Sequence, residues 1–152
     1  MIPALNDGVL PLGVHQCTFE EVQNAFGTFN RSDQRPRLTY KLKQFITAAR
    51  KSGIVSAVVV DGSYITAKAE PGDIDLILVL RRDFDVAQEL SPIDYNIQSK
   101  RMVKRLYGFD VLPAIEGSVA YERYISDFSR VRLDDPEQTT TQRHKGLLRI
   151  EL

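Results

Sequence analysis

Two aspartates separated by one apolar residue, Asp73-Ile74-Asp75, follow a Gly62-Ser63 pair after nine intervening residues. Side chains at positions i and i+2 of an extended strand point to the same face and lie roughly 7 Å apart. We therefore expect Asp73 and Asp75 to project together, with Ile74 on the opposite face. Neighbouring carboxylates repel each other, and proteins keep such pairs mainly to bind divalent cations. The pattern predicts a metal site at the entrance of a strand.

The Gly62-Ser63 pair adds a group that can bind phosphate. It follows the apolar run 58–60 and Asp61, so it lies at the end of a predicted strand. Backbone N–H groups and a hydroxyl in such a turn suit phosphate oxygens. A phosphate-binding turn beside metal-binding carboxylates is the equipment of metal-assisted phosphoryl or nucleotidyl transfer. Asp61 is either a further ligand or a turn-forming residue, and its place before glycine favours the turn.

The small-residue turn, the spacer and the acidic-apolar-acidic strand start resemble the signature of the nucleotidyltransferase superfamily, which includes DNA polymerase β-like and minimal nucleotidyltransferase proteins. That superfamily places a third carboxylate, flanked by apolar residues, on a later strand, and Phe109-Asp110-Val111 matches it. The resemblance implies that Asp73, Asp75 and Asp110 hold Mg²⁺ or Mn²⁺. It also implies that a nucleoside monophosphate moves from an NTP such as ATP to an acceptor hydroxyl, with release of pyrophosphate.

The resemblance extends over nearly the whole chain. The segments 10–15, 18–22 and 145–152 are similar to those of small bacterial proteins with this core. The same acidic residues also have ordinary structural interpretations. Asp73 and Asp75 could cap a turn by chance, and Asp110 could fix a turn at a strand end. Their occurrence together with the Gly-Ser pair favours the metal site.

The phosphate-binding side departs from the commonest pattern of the superfamily. The resemblance assigns Gly62 and Ser63 to the β- and γ-phosphates, and many minimal nucleotidyltransferases carry a basic residue directly after this pair. This chain has Tyr64 there, and the nearest cation is Lys68 in the spacer. Lys68 is therefore a candidate for binding nucleotide, although a solvated loop lysine is an equally good interpretation.

Two basic clusters offer further contacts to phosphate or RNA. A predicted helix carries Lys100, Arg101, Lys104 and Arg105, and a long polar segment at 129–146 precedes a second cluster of Arg143, His144, Lys145 and Arg149. A basic helix face is more often only solvated. Mobile loops often close over triphosphates, so the second cluster is the better candidate. We therefore include Lys145 among the predicted nucleotide-binding residues.

Composition narrows the class of protein. Lys plus Arg equals Asp plus Glu at 20 each, so no overall field attracts nucleic acid or membrane. The single cysteine, Cys17, excludes an internal disulfide and fits a reducing cytoplasm. The N-terminal residues lack the pattern of a signal peptide, and no stretch approaches the ~18 apolar residues of a membrane span. We expect one cytoplasmic domain with no membrane partner.

The apolar periodicity predicts an α/β (α+β) fold with a small mixed sheet flanked by helices. Helices are predicted at 18–26, 38–51, 91–106 and 118–128, and strands at 54–60, 73–80, 109–112 and 147–152. Residues predicted to face the core include Tyr95, Met102, Val103 and Leu106, and also Ala120, Tyr121, Tyr124, Ile125 and Phe128. Residues 1–53 are an N-terminal extension with helices, 54–112 carry the catalytic strands and 129–146 form a polar loop.

Two classes of function stay open. The leading hypothesis is an enzyme, because all three carboxylates are present. The alternative is a catalytically weak or inactive binding module of the same fold, acting through a protein partner in a toxin–antitoxin or phage-defence pair; the missing basic residue after Ser63 favours it. A weaker possibility is an enzyme acting on tRNA ends, which predicts salt-sensitive RNA binding. The acceptor stays open among protein, RNA and small molecules.

Overall fold

The computed structural model describes residues 1–130 and 144–152. Its strands are β1 (Val14–Cys17), β2 (Val55–Asp61), β3 (Asp75–Leu80), β4 (Asp110–Ile115) and β5 (Leu147–Glu151). Its helices are α1 (Phe19–Phe26), α2 (Gln34–Ser52), α3 (Pro92–Gln98), α4 (Lys100–Tyr107) and α5 (Val119–Phe128). The strands form one mixed sheet in the order β1-β5-β2-β3-β4. The predicted fold class is confirmed.

The sheet combines both kinds of strand pairing. β2 pairs antiparallel with β3 and β5, whereas β3–β4 and β1–β5 are parallel pairs. The parallel β3–β4 pair requires a crossover connection, which α3 and α4 provide. The last strand, β5, lies between β1 and β2, so residues 147–150 are buried. This insertion carries the residues just before β5 to the end of β2.

Each face of the sheet has its own apolar core. On one face, α1 to α4 cover a large cluster that includes the predicted α2 stripe of Leu38, Leu42, Phe45, Ile46 and Ala49. Ile74 lies in this cluster with Leu76, Leu78 and Leu80, as the alternation predicts. On the other face, a smaller cluster packs against Tyr121, Tyr124, Ile125 and Phe128 of α5. Alternate residues of a strand share a face, so Asp75 lies on the same face as Ile77 and Val79, opposite Ile74.

The predicted start of α1 and the predicted end of α2 are confirmed, whereas α2 begins at Gln34, before the predicted start at 38. The Glu21 amide donates to the Thr18 hydroxyl at 3.1 Å, and the Thr18 amide donates to the Glu21 carboxylate at 3.0 Å, so a capping box begins α1. Gly53 ends α2 in the left-handed conformation with φ 72°.

The predicted helix at 91–106 is wrong, because the chain forms two helices that meet at Ser99. This serine has extended backbone angles, and its hydroxyl accepts the Met102 amide as the N-cap of α4. A serine that bonds its own backbone favours a cap over a helix interior. The break rotates the two halves, so Tyr95 and Leu106 are 56% and 53% exposed instead of facing the core.

Two smaller expectations also need correction. Ala120 is exposed, because the buried side of α5 begins one residue later at Tyr121. The first residues contribute the strand β1, which the sequence analysis did not predict. The predicted polar loop at 129–146 lies mostly outside the described residues. Within residues 1–130 and 144–152, no helix is both long and apolar enough to cross a bilayer.

Candidate active site

Three aspartates are aligned across one end of three neighbouring strands. Asp61 is opposite Asp75 in the β2–β3 pair, and Asp75 is opposite Asp110 in the β3–β4 pair. Directly opposite residues project from the same face of a sheet, which here is the face covered by α5. Asp75 and Asp110, which the sequence predicts to act together, lie opposite each other in the sheet. The sequence favours a turn role for Asp61 over a role as a further ligand, whereas the residue ends β2 and is buried.

Asp73 lies two residues before β3 and is bonded to the Gly-Ser turn. The Ser63 amide and hydroxyl both donate to the Asp73 carboxylate, at 3.0 and 2.5 Å. The Tyr64 amide donates to the Asp73 carbonyl at 3.3 Å, and the Gly72 amide donates to the Ser63 hydroxyl at 3.2 Å. The predicted phosphate turn and the first predicted metal ligand therefore form one hydrogen-bonded unit.

The position of Gly62 requires glycine for two reasons. Its φ of 99° is a conformation that other residues rarely adopt. A Cβ at this position would lie 2.9 Å from the Asp73 carbonyl oxygen and 3.2 Å from the Asp75 nitrogen. Glycine thus lets the end of β2 approach the entrance of β3, and the short 3₁₀ turn Ser63–Ile65 follows.

Lys145, predicted to bind nucleotide, lies among these carboxylates. Its Nζ is 2.6 Å from Oδ1 of Asp61, and the two side chains are only 15% and 7% exposed. Lys145 immediately precedes Gly146 and β5, and its amide donates to the Ser129 carbonyl at the end of α5. The insertion of β5 beside β2 therefore provides the cation.

The carboxylates perturb one another strongly at Asp75. Burial, followed by the negative charges of Asp73, Asp61 and Asp110, raises the pKa of Asp75 from its usual 3.8 to about 6, and Lys145 opposes this effect. Burial and the neighbouring negative charges together disfavour the ionised form of this carboxyl more than the nearby lysine favours it. An added cation would stabilise its ionised form.

The pKa values of the two neighbouring carboxyls, Asp73 and Asp61, shift in opposite directions. Burial would raise the pKa of Asp73, but the hydrogen bonds from Ser63, with Lys145 and Lys68, lower it below its usual range. Burial raises the pKa of Asp61, although Lys145 opposes the shift. Asp73 is therefore the carboxylate that the surrounding protein stabilises best as an anion.

These groups line a cavity of about 490 Å³, within the usual range for small-ligand sites. The lining consists of Val9, Asp61, Gly62, Ser63, Thr66, Lys68, Gly72, Asp73, Asp75, Asp127, Phe128, Arg130 and Lys145. It includes all four predicted nucleotide-binding residues, Gly62, Ser63, Lys68 and Lys145. The residues from the end of α5 are additions that the sequence analysis missed, because nothing local to them signals a site.

Asp110 belongs to the aspartate row but not to the cavity lining. Its carboxylate is 67% exposed and lies 3.5 Å from Nζ of Lys104 on α4. Among residues 1–130 and 144–152, no three His, Cys, Asp or Glu side chains are close enough to hold a metal ion as they stand. An exposed ion pair contributes at most about 1 kcal/mol, so the pairing with Lys104 holds the Asp110 side chain only weakly.

Tyr64, which occupies the place of the superfamily's basic residue, is buried in the core. Its hydroxyl lies 2.5 Å from the Thr39 hydroxyl, and its ring packs near the Arg35 guanidinium. Arg35 is also buried and donates to the carbonyls of Phe26, Tyr64, Thr66 and Lys68. It therefore fixes the spacer after Ser63 from the core side. Its spacing with Leu38 and Leu42 at helical periodicity was the available signal, and the sequence analysis did not use it.

The basic clusters are divided by the fold. Lys100, Arg101, Lys104 and Arg105 are exposed on α4. In the second cluster, Arg143 lies outside the described residues and His144 is exposed. Arg149 points away from the cavity and donates to Glu116 at 2.6 Å, Glu151 at 2.8 Å and the Tyr121 hydroxyl at 2.9 Å. Of this cluster, Lys145 alone is seen in the candidate site within the described part of the chain.

Residues 3–151 match a family described as "Family of unknown function (DUF6932)". The match covers almost the whole chain, so the protein belongs to this family. No curated protein matches the chain, and no solved structure does either. Any assignment of activity therefore depends on the site.

Proposed function

We propose that this member of the family of unknown function is a metal-dependent nucleotidyltransferase, which moves a nucleoside monophosphate from an NTP to an acceptor hydroxyl. The supporting observation is the alignment of Asp61, Asp75 and Asp110 on three adjacent strands beside the Ser63–Asp73 unit. Metal-assisted phosphoryl transfer needs carboxylates that bind the metal and hydrogen-bond donors that bind the phosphates, all within a few ångströms of one another.

A divalent cation such as Mg²⁺ or Mn²⁺ prefers carboxylate oxygens, and the cavity offers those of Asp61, Asp73 and Asp75. A cation, the Lys145 ammonium, already lies 2.6 Å from the carboxylate of Asp61. Burial and the charges of Asp73, Asp61 and Asp110 raise the pKa of Asp75 to about 6, so a bound cation would stabilise its ionised form. Asp73, Asp75 and Asp110 would hold the metal, which supplies electrostatic stabilisation of the charge that develops on the phosphates.

The remaining roles follow from position. The Ser63 amide and hydroxyl, at a turn that Gly62 keeps close to β3, suit the β- and γ-phosphates. Lys145 and Lys68 line the same cavity and can neutralise phosphate charge. The acceptor oxygen forms a bond to the α-phosphorus as the bond to the β-phosphate oxygen breaks, and pyrophosphate leaves. Asp110, at the exposed end of the row, would accept the proton of the acceptor hydroxyl.

A second candidate is a catalytically weak binding module that acts through a partner protein. Two observations favour it: Asp110 is paired with Lys104, and Tyr64 is buried instead of providing a cation at the phosphates. Such a module could bind its partner, for instance in a toxin–antitoxin or phage-defence pair, without transferring a nucleotide.

Titration calorimetry separates the two candidates. The enzyme hypothesis predicts heat on adding ATP that requires Mg²⁺ and is lost in Asp75→Asn, whereas a pure interaction module gives no metal-dependent heat. A transfer assay with each labelled NTP against whole-cell RNA and protein then identifies the acceptor class and the base. Absence of metal-dependent binding with all four NTPs would contradict the enzyme hypothesis.

A further inference from the structure

The two groups best placed to bind phosphate are each bonded to a carboxylate of the candidate site. The Lys145 ammonium lies 2.6 Å from Asp61 Oδ1, and the Ser63 hydroxyl and amide donate to Asp73 Oδ1 at 2.5 and 3.0 Å. All four side chains line the same cavity. The structure therefore contains two pairs, Lys145–Asp61 and Ser63–Asp73, in which a phosphate-binding group and a cation-binding group satisfy each other.

Each pair opposes the binding of a single ligand. A cation bound to Asp61 alone would leave the Lys145 ammonium without its partner in a nearly buried place, and a triphosphate bound to Lys145 alone would leave the Asp61 carboxylate unpaired. Removing one partner of a buried ion pair is strongly unfavourable, because the other charge stays buried and uncompensated. Ser63 is partly buried and Asp73 is exposed, so the same argument applies only weakly to the Ser63–Asp73 pair. A cation and a triphosphate that arrive together compensate all four groups.

We propose that these two pairs make the site bind a divalent cation and a nucleoside triphosphate as one complex, with Lys145 as the main coupling residue. Lys145 and Ser63 exchange carboxylate for phosphate oxygens, while Asp61 and Asp73 turn to the cation. The inference rests on the proposed function and extends it, because it makes Asp61 a cation ligand and gives Lys145 a second partner.

Opposite effects of one substitution on two ligands provide the test. In Lys145→Met, Asp61 no longer has a competing cation, so Mn²⁺ alone should bind at least about tenfold more tightly, whereas Mn²⁺ with ATP should bind at least about tenfold more weakly. Measured coupling energies of close charge pairs in protein complexes begin near the free energy that corresponds to a tenfold change in affinity. Reciprocally, Asp61→Asn releases Lys145, so ATP in the presence of EDTA should bind more tightly and Mn²⁺ alone more weakly. Titration calorimetry on the whole chain measures all of these affinities.

Two further variants keep the test decisive. Lys43→Met removes the same charge from α2, outside the cavity lining, and should leave the Mn²⁺ affinity unchanged. Lys145→Arg keeps a cation beside Asp61 and should bind Mn²⁺ no more tightly than the wild type. If Lys145→Met does not fold, Asp61→Asn and Lys145→Arg carry the test, because tighter Mn²⁺ binding in either variant contradicts the proposal.

The results also separate the inference from the proposed function. If the wild type binds Mn²⁺ with ATP but Lys145→Met weakens both Mn²⁺ alone and the complex, the pairing proposal is wrong and the enzyme hypothesis stands. If the wild type binds Mn²⁺ and ATP as one complex and Lys145→Met has the two opposite effects, yet no labelled NTP is transferred to any acceptor, the enzyme hypothesis fails and the pairing proposal stands. If no protein shows metal-dependent nucleotide binding, both fail. If none of these substitutions changes any affinity, the pairing proposal fails.

Discussion

Replacing Asp75 with asparagine should make the metal-free protein more stable at neutral pH. The pKa of Asp75 is raised from 3.8 to about 6 by burial and by the charges of Asp73, Asp61 and Asp110. A shift of about two units corresponds to roughly 3 kcal/mol at 1.36 kcal/mol per unit. Because Asp75 is only half-buried, solvent screening reduces this to about 1–2 kcal/mol.

The sign of the pH dependence follows from the direction of the shift. A carboxyl with a raised folded-state pKa stabilises the fold fully below pH 3.8, and this contribution is lost as the pH rises through about 6. Asparagine stays neutral, so Asp75→Asn should match the wild type near pH 4 and exceed it at pH 7–8. For a chain of this length the gain is roughly 2–6 °C in Tm.

Thermal unfolding followed by circular dichroism between pH 4 and 8, with EDTA present, measures this effect. Asp73→Asn is the matched control with the opposite sign, because the pKa of Asp73 is lowered. It should be less stable than the wild type at neutral pH, and the difference should vanish as the pH falls through its folded-state pKa. The reasoning is refuted if Asp75→Asn is less stable at pH 8, or if its difference from the wild type does not depend on pH. Added Mn²⁺ should raise the Tm of the wild type and not that of Asp75→Asn.

Three other substitutions test separate parts of the site. Gly62→Ala puts alanine at a strained φ of 99° and its Cβ 2.9 Å from a backbone oxygen, so urea unfolding should show a free energy of unfolding lower by about 1–3 kcal/mol. Equal stability would exclude the close approach of the end of β2 to the entrance of β3. Arg35→Met leaves four carbonyls without their donor, so it should lower the free energy of unfolding by about 2–4 kcal/mol and speed amide hydrogen exchange at residues 64–68. Unchanged exchange at these residues would contradict the role of Arg35 in holding the spacer. Neutralising Lys100 and Lys104 together should weaken RNA binding and reduce its salt dependence if tRNA is the acceptor, and an unchanged salt slope would exclude this helix as the RNA surface.

Local patterns predicted the parts of the fold that depend on neighbours along the chain. The capping box at Thr18 and the left-handed Gly53 are decided by contacts within four residues. The alternation along β3 placed Ile74 in the core on one face and Asp75 on the other, whereas Asp73 lies before the strand. The break at Ser99 was not predicted, because the apolar periodicity of the sequence continues across this serine. The periodicity gives no sign that the serine hydroxyl caps a new helix.

By itself, the sequence determined which residues can do chemistry here: a glycine-serine turn, three carboxylates and a few cations. For Asp61 it favoured a turn over a role as a further ligand, and it did not connect the end of α5 to the site at all. Only the tertiary structure decided that Asp61 lies opposite Asp75 and is paired with Lys145. The physical reason is strand order: β5 is last in the chain yet lies between β1 and β2, and this long-range pairing leaves no periodic signal near residue 145.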